Sequence, residues 1–277
     1  MTINLIDPGN IVASHPSLQI VTSPTHYCIQ SKHLMKKEPN CSSTTVSELL
    51  YGESVSILAE EKGWFQVACA HDGYMGWIKS AAVCERSADY KTSHYVSTPV
   101  SHIYREPSLK SEPIHSVFLT TPLMVVGEIQ DGFVPLSNGG WIYARHILAE
   151  RELSVDPVDV AERFLGSAYL WGGRSYEGLD CSALVQLALM MSGQKVLRDS
   201  GMQFSSLGRL LETDEKPGRG DLAFFPGHVG WMIDGKQILH ANATHMSVTI
   251  DPVEDVIEWV SKDIKGTPFL GYRRLNI

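Results

Sequence analysis

Asp180-Cys181-Ser182-Ala183-Leu184-Val185-Gln186-Leu187-Ala188 is the stretch on which the fold turns. It follows Gly172-Gly173 and Gly178, and it opens an apolar run that reads as a helix from about Cys181 to Ser192. Gly193 is the expected stop, because glycine takes the left-handed conformation that ends helices. A cysteine in the first helical turn meets the positive end of the helix dipole and unpaired backbone N–H groups, and both favour the thiolate. Such a thiolate attacks carbonyl carbon, and the same N–H groups stabilise the oxyanion. Standing alone, Cys181 would read more readily as a small buried residue packing a helix.

Two histidines follow. His228 begins one strand and His240 ends the next, with Asp234-Gly235 between them. A three-residue loop, Ile233-Asp234-Gly235 with Gly235 left-handed, pairs 232 with 236 and sets 228 directly opposite 240. Both imidazoles then leave the same face. That arrangement gives a thiol, a base and a residue orienting the base. A metal pair is the competing reading, with His245 the one further ligand nearby. Upstream, Asp156-Pro157 reads as a helix start, and Val158, Val160, Ala161, Phe164 and Leu165 as its apolar stripe. Strands are expected at Asp221 to Phe225, His228 to Ile233, Gln237 to Ala241 and Phe269 to Arg273, so this region is α+β.

Before about residue 150 the pattern differs. Short apolar runs, among them Ser54 to Ala59, Trp64 to Ala70, Tyr74 to Ile78, Leu123 to Val126 and Gly140 to Tyr143, are separated by turn residues, which indicates small all-β units. The pattern also repeats. Lys37-Glu38-Pro39 recurs as Arg105-Glu106-Pro107, Gly63-Trp64-Phe65 as Asp131-Gly132-Phe133, and Gly76-Trp77-Ile78 as Gly140-Trp141-Ile142. A period of about 65 residues means one small barrel per repeat, not a solenoid. The units expected are an N-terminal extension over 1–30, barrels over 31–86 and 87–150, and an α+β domain over 151–277.

Composition narrows the function. The chain has 277 residues, 23 Lys plus Arg, 31 Asp plus Glu and a formal charge of −8. An acidic surface is a poor match for nucleic acid. No apolar run approaches the roughly 18 residues of a membrane span. Cys28, Cys41, Cys69, Cys84 and Cys181 are odd in number and contain no CxxC pair, which argues against a disulfide framework and a zinc site. MTINLIDPGN lacks the features of a secretory signal. The expected location is the cytoplasm.

Five blocks then occur in order: Tyr169-Leu170-Trp171-Gly172-Gly173, Asp180 to Gln186, Arg219-Gly220-Asp221-Leu222, Gly227-His228-Val229-Gly230 and His240-Ala241-Asn242-Ala243. Together they resemble the NlpC/P60 family of papain-like cysteine peptidases, and the repeats before them resemble bacterial SH3-like barrels. The fold class implied is multi-domain: two small all-β SH3-like barrels followed by an α+β papain-like catalytic domain. The resemblance is to members that are γ-D-glutamyl-L-diamino acid endopeptidases acting on murein peptides. It implies Cys181 as nucleophile, His228 as base and acid, and His240 as the residue orienting it. Tyr169 matches the oxyanion-site tyrosine and Trp171 an aromatic lining the site. Asp180, Ser182, Asp199 and Ser200 match substrate-binding positions. Tyr74, from Asp72-Gly73-Tyr74, matches a barrel tyrosine that closes the pocket, and Glu38 is the barrel glutamate nominated to meet the substrate amine. No metal or organic cofactor is implied. Asp221 reads as a turn carboxylate, and the second barrel as a spacer.

A pocket closed at one end, with carboxylates at that end, suits a peptide stem with a free N-terminal amine. The reading is an endopeptidase of recycled murein peptides such as L-Ala-γ-D-Glu-meso-diaminopimelate. Its competitors are an exported hydrolase of intact wall, and a murein-binding protein or thiol acyltransferase on the same fold.

Overall fold

The computed structural model describes residues 24–87 and 89–276. Most of the expected N-terminal extension lies outside them. The first unit holds β1 (His26–Cys28), β2 (Lys32–Lys36), β3 (Thr45–Leu50), β4 (Ser54–Glu61), β5 (Trp64–Cys69), β6 (Met75–Lys79) and β7 (Val83–Glu85). They form one antiparallel sheet in the order β3-β2-β6-β5-β4-β1-β7. Inward residues Met35, Leu49, Val55, Val67 and Ile78 make its core. The boundary expected at residue 31 is too late. β1 pairs with both β4 and β7 and so belongs to this sheet.

The second unit holds β8 (His94–Val96), β9 (Val100–Tyr104), β10 (Pro113–Phe118), β11 (Pro122–Leu123), β12 (Phe133–Pro135), β13 (Trp141–Tyr143) and β14 (Ile147–Ala149). It repeats the first element by element. Lys37 N–H donates to Thr44 O and Arg105 N–H to Glu112 O, both at 3.0 Å. Glu38 N–H donates to Ser43 Oγ and Glu106 N–H to Ser111 Oγ, again both at 3.0 Å. The strand order also repeats, as β10-β9-β13-β12 and β11-β8-β14, with one break between β12 and β11. There the long β4–β5 hairpin is replaced by short strands carrying Pro122 and Pro135, which have no N–H to give a ladder.

The third unit holds α1 (Pro157–Glu162), β15 (Arg174–Ser175), β16 (Gly178–Leu179), α2 (Cys181–Met191), α3 (Ser200–Ser206), β17 (Arg209–Leu210), β18 (Leu222–Phe225), β19 (His228–Met232), β20 (Gln237–Asn242), β21 (Ser247–Pro252), α4 (Val253–Asp263) and β22 (Gly271–Arg274). Its main sheet runs β17-β22-β18-β19-β20-β21. α2 is apolar apart from Ser182 and Gln186 and is buried on nearly every side. Leu184, Leu187 and Ala188 meet Val229, Trp231 and Leu239 on one face of the sheet. On the other face Phe225, Met232 and Ile238 cluster with Val253 and Val256 at the start of α4.

Local chemistry sets the helix ends. Asp156 caps α1 by accepting from Val158 and Asp159 N–H, with Pro157 as the first helical residue. Gly193 follows α2 at φ +78°. Leu165 departs from the expected stripe: α1 stops at Glu162, and Leu165 is exposed. α3, β21 and α4 go beyond the sequence reading.

The hairpin register also differs. Trp231 pairs with Leu239 and Met232 with Ile238, so Gly230, not His228, lies opposite His240. The loop is displaced by one residue, to Asp234-Gly235-Lys236 between Ile233 and Gln237. Ile233 N–H donates to Gln237 O, Asp234 Oδ1 accepts from Lys236 and Gln237 N–H, and Gly235 is not left-handed. The parity survives, because side chains two apart on a strand share a face. His228 and His240 are diagonal neighbours. A β-carbon at Gly230 would come within 2.8 Å of His240 Cβ, so only glycine leaves room for the His240 ring.

Candidate active site

Cys181 is the first residue of α2, capped by Asp180, whose carboxylate accepts from Ala183 N–H. The Cys181 sulfur lies against the backbone N–H groups of Val229 and Ser182. The nucleophile candidate therefore abuts the residue that follows His228. The helix start does not by itself produce a thiolate. Burial and the Asp180 carboxylate push the thiol up to about 12, against the pull of those N–H groups and of Arg198.

His228 opens β19 and stacks at a tilt on Phe225. Its Nε2 lies 2.7 Å from His240 Nδ1. Two ring nitrogens facing each other at that distance share a proton and leave no room for an ion between them. Burial and His240 hold the His228 pKa well below its ordinary value. At rest each group is therefore neutral, Cys181 a thiol and His228 an imidazole.

His240 continues the chain. Its Nε2 lies 3.0 Å from Asp251 Oδ2, and Thr249 Oγ donates to that same oxygen at 2.5 Å. The sequence reading missed Asp251. The signal was present in Ser247-Val248-Thr249-Ile250-Asp251, where polar residues alternate with apolar ones. β21 pairs with β20, and Thr249 is opposite His240.

Tyr169 is held by a bridge to Leu179 and by its N–H to Met246 O. It is close enough to Cys181 and Asp180 for their charges to act on its phenol, which burial keeps protonated far into the alkaline range. Trp171 is half exposed.

The first β unit supplies one wall. Asp72 Oδ1 accepts Tyr74 N–H at 2.9 Å, and Asp72 Oδ2 accepts Gln186 Nε2 from α2 at 2.8 Å. This places the Tyr74 hydroxyl in a hydrogen bond with the Asp199 carboxylate. Asp199 precedes α3 without its side chain capping that helix, and Ser200 is the first helical residue, partly exposed. Glu38 is exposed in the β2–β3 turn.

Asp180 and Ser182 turn the other way. Arg198 donates through Nη1 and Nη2 to Asp180 Oδ1 and Oδ2 at 2.9 and 2.6 Å, and through Nη1 to Ser182 Oγ at 2.9 Å. Arg198 Nε reaches Ser47 Oγ of β3 at 3.1 Å. A second buried arginine makes a parallel set of contacts. Arg174 donates to Glu48 O, to Glu53 Oε2 and to Gln186 Oε1, each at 2.9 Å. Both guanidinium groups are buried with their partners, as desolvated charges require. They fix the first β unit to the third at the level of the nucleophile.

Comparison with known proteins covers both the first and the third unit. Residues 166–262 match the NlpC/P60 family, and residues 35–83 match the bacterial dipeptidyl-peptidase Sh3 domain. Dipeptidyl-peptidase 6 of Lysinibacillus sphaericus is 25% identical over 259 residues, covering 83% of this chain and 92% of that protein. Gamma-D-glutamyl-L-lysine dipeptidyl-peptidase of Bacillus subtilis is 28% identical over 234 residues, covering 76% and 77%. The crystal structure of an NlpC/P60 family protein from Bacillus cereus superposes with a TM-score of 0.75 at 22% identity, covering 91% of this chain and 99% of that one, so the fold is shared.

Proposed function

We propose that this chain, which carries an NlpC/P60 domain behind a bacterial dipeptidyl-peptidase SH3 domain, is a cysteine endopeptidase. It hydrolyses the γ-D-glutamyl–diamino acid bond of murein peptides with a free N-terminal L-Ala. The observation that carries this reading is the chain of contacts at the start of α2. The Cys181 sulfur lies against Val229 N–H, and the neighbouring His228 bonds His240 at 2.7 Å. The names of the similar proteins supply the bond class.

The steps follow from these groups. The Cys181 proton moves to His228 as sulfur attacks the γ-carbonyl carbon of the D-Glu unit. The Cys181 backbone N–H and the Tyr169 hydroxyl stabilise the oxyanion. His228 returns the proton to the departing amine, leaving a thioester on Cys181. Water, deprotonated by His228, then attacks the thioester and releases the dipeptide. His240 orients His228 throughout.

Substrate fit is assigned to Tyr74, Asp199 and Ser200, which meet the N-terminal amine and the adjoining stem, with Trp171 at the rim. Asp180 and Ser182 enter as the residues that hold Arg198 beneath the cleft. The Tyr74–Asp199 contact supports an exopeptidase-like limit on stem length, because it closes one end of the cleft with a carboxylate suited to a cation. We read residues 87–150 as a second SH3-like barrel acting as a spacer. Its support is the repeated strand order and turn hydrogen bonds.

We place the reaction in the cytoplasm, on recycled wall peptides. The free state of all five cysteines, including exposed Cys41, supports a reducing compartment. Among the described residues no helix is long and apolar enough to cross a membrane. The direct test is Cys181→Ala. Turnover should vanish while the tripeptide still binds; retained turnover would refute the assignment.

A further inference from the structure

We propose that Asp251 is a positioning residue that sets the tautomers of both active-site histidines, so that His228 presents an unprotonated Nδ1 to the Cys181 thiol. The proposal rests on Cys181 being the nucleophile.

The argument follows the protons. His228 Nε2 is taken by His240 Nδ1 at 2.7 Å, so Nδ1 is the only His228 ring nitrogen left for the thiol. For His228 to act as base, that Nδ1 must carry a lone pair. The His228 proton then sits on Nε2 and is donated to His240 Nδ1. His240 Nδ1 is therefore an acceptor, and the His240 proton must sit on Nε2. An acceptor for that proton is required, and Asp251 Oδ2 stands there at 3.0 Å.

A rival group makes the choice consequential. Asn242 Nδ2 is 3.3 Å from the same His240 Nε2. The Asn242 amide cannot turn away: its Oδ1 accepts His245 N–H at 2.9 Å, and its Nδ2 donates to Thr249 Oγ at 2.7 Å. Its second amide hydrogen is thus aimed at His240. If Asn242 won, Nε2 would be the acceptor and the His240 proton would move to Nδ1. That proton would be donated to His228 Nε2, and the His228 proton would shift to Nδ1, facing the thiol. The base would be blocked. Asp251 wins because a charge-assisted bond is about twice as strong as a neutral one. Thr249 and His240 overcome the effect of burial and hold its carboxyl below the usual carboxylate range, while His245 Nε2 approaches Oδ1 at 3.4 Å. Asn242 thus makes the carboxylate necessary.

The test reads tautomers in the resting, substrate-free full chain by nitrogen-15 NMR of the histidine rings. In the wild type both His228 and His240 should carry their protons on Nε2. In Asp251→Ala both should shift to Nδ1, and kcat should fall at least about a hundredfold. Wrong-tautomer variants of comparable relays lose about 10⁴. The double variant Asp251→Ala with Asn242→Asp puts a carboxylate back beside His240 Nε2 and should restore the tautomers and most of kcat. An Nδ1 proton on His240 in the wild type would overturn the proposal. So would unchanged tautomers in Asp251→Ala, or a double variant no better than the single. Because the wild-type spectrum needs neither substrate nor mutation, it stands or falls separately from the proposed peptidase activity.

Discussion

Arg198 and Asp180 face each other fork to fork, Nη1 to Oδ1 at 2.9 Å and Nη2 to Oδ2 at 2.6 Å, and both are buried. Asp180 is the cap of the helix that opens with Cys181, so a residue 18 positions downstream locks the start of α2. Removing one partner of a buried pair strands the other charge, at a cost of about 3–5 kcal/mol. Arg198→Met should lose that much stability in urea unfolding, with kcat falling alongside. Arg198→Lys keeps the charge but not the planar fork, and should recover only part of it. A Met variant as stable as wild type would contradict the role assigned to the pair.

Gly172 sits where the third unit touches the first. Its φ is +76°, and a β-carbon there would come within 2.9 Å of Thr45 Cγ2 and 3.3 Å of Ser47 N. Gly166 has a similar φ of +83° but nothing within 4 Å. Gly166→Ala should therefore show only the left-handed strain, about 1–2 kcal/mol. Gly172→Ala should lose more than that, and should raise KM by displacing the wall that carries Tyr74. Equal losses at the two positions would show that the contact with β3 carries no weight.

His71 supplies the pH dependence. Its Nε2 lies 3.2 Å from Asp72 Oδ2 and its Nδ1 3.8 Å from Glu53 Oε1, with Arg174 and Cys69 on the remaining sides. Burial alone would lower its pKa, but the Asp72 and Glu53 carboxylates outweigh burial and Arg174, and raise it. A raised folded-state value means the stabilisation is full below the ordinary histidine value, about 6.5, and is lost as pH rises through the folded value. Wild type should lose its Tm advantage over His71→Gln as pH rises from about 6.5 through the raised folded-state value. A constant advantage across that range would rule the ion pair out.

Tyr74→Phe removes the hydroxyl that meets Asp199. A hydrogen bond to a charged group is worth about 1.5–3 kcal/mol, so KM for a peptide with a free amine should rise about tenfold or more. Turnover of the N-acetylated peptide should be indifferent to the change. Steady-state kinetics on the two peptides separates these outcomes, and an equal rise in both KM values would remove Tyr74 from amine recognition.

Much of this was legible in the chain because it rests on local signals. Asp156, Cys181 and Gly193 mark helix ends through their own backbone chemistry, and the Lys37-Glu38-Pro39 repeat reports a turn whose hydrogen bonds recur at Arg105-Glu106-Pro107. Side-chain parity put His228 and His240 on one face. The exact register was not legible, because the loop is displaced by one residue and Asp234, through its side chain, accepts from Lys236 and Gln237 N–H within it. Nor were the contacts of Arg174 with Glu48 and Glu53 and of Arg198 with Ser47, which reach the first β unit more than a hundred residues away. Asp251 was hidden for a similar reason. A carboxylate at a strand end is common, and only the pairing of β21 with β20 turns it toward His240.

The most direct measurement is a mass-spectrometric digest of three substrates by wild type and Cys181→Ala. The substrates are the free tripeptide L-Ala-γ-D-Glu-diaminopimelate, its N-acetylated form and intact sacculi. Wild type should cut the free tripeptide at the γ-D-Glu bond, releasing the dipeptide, and should cut the acetylated form at least about tenfold more slowly, since acetylation removes the cation proposed to meet Asp199. Cys181→Ala should cut none of them. Equal rates on the free and acetylated peptides, a preference for sacculi, or cleavage by Cys181→Ala would contradict the account.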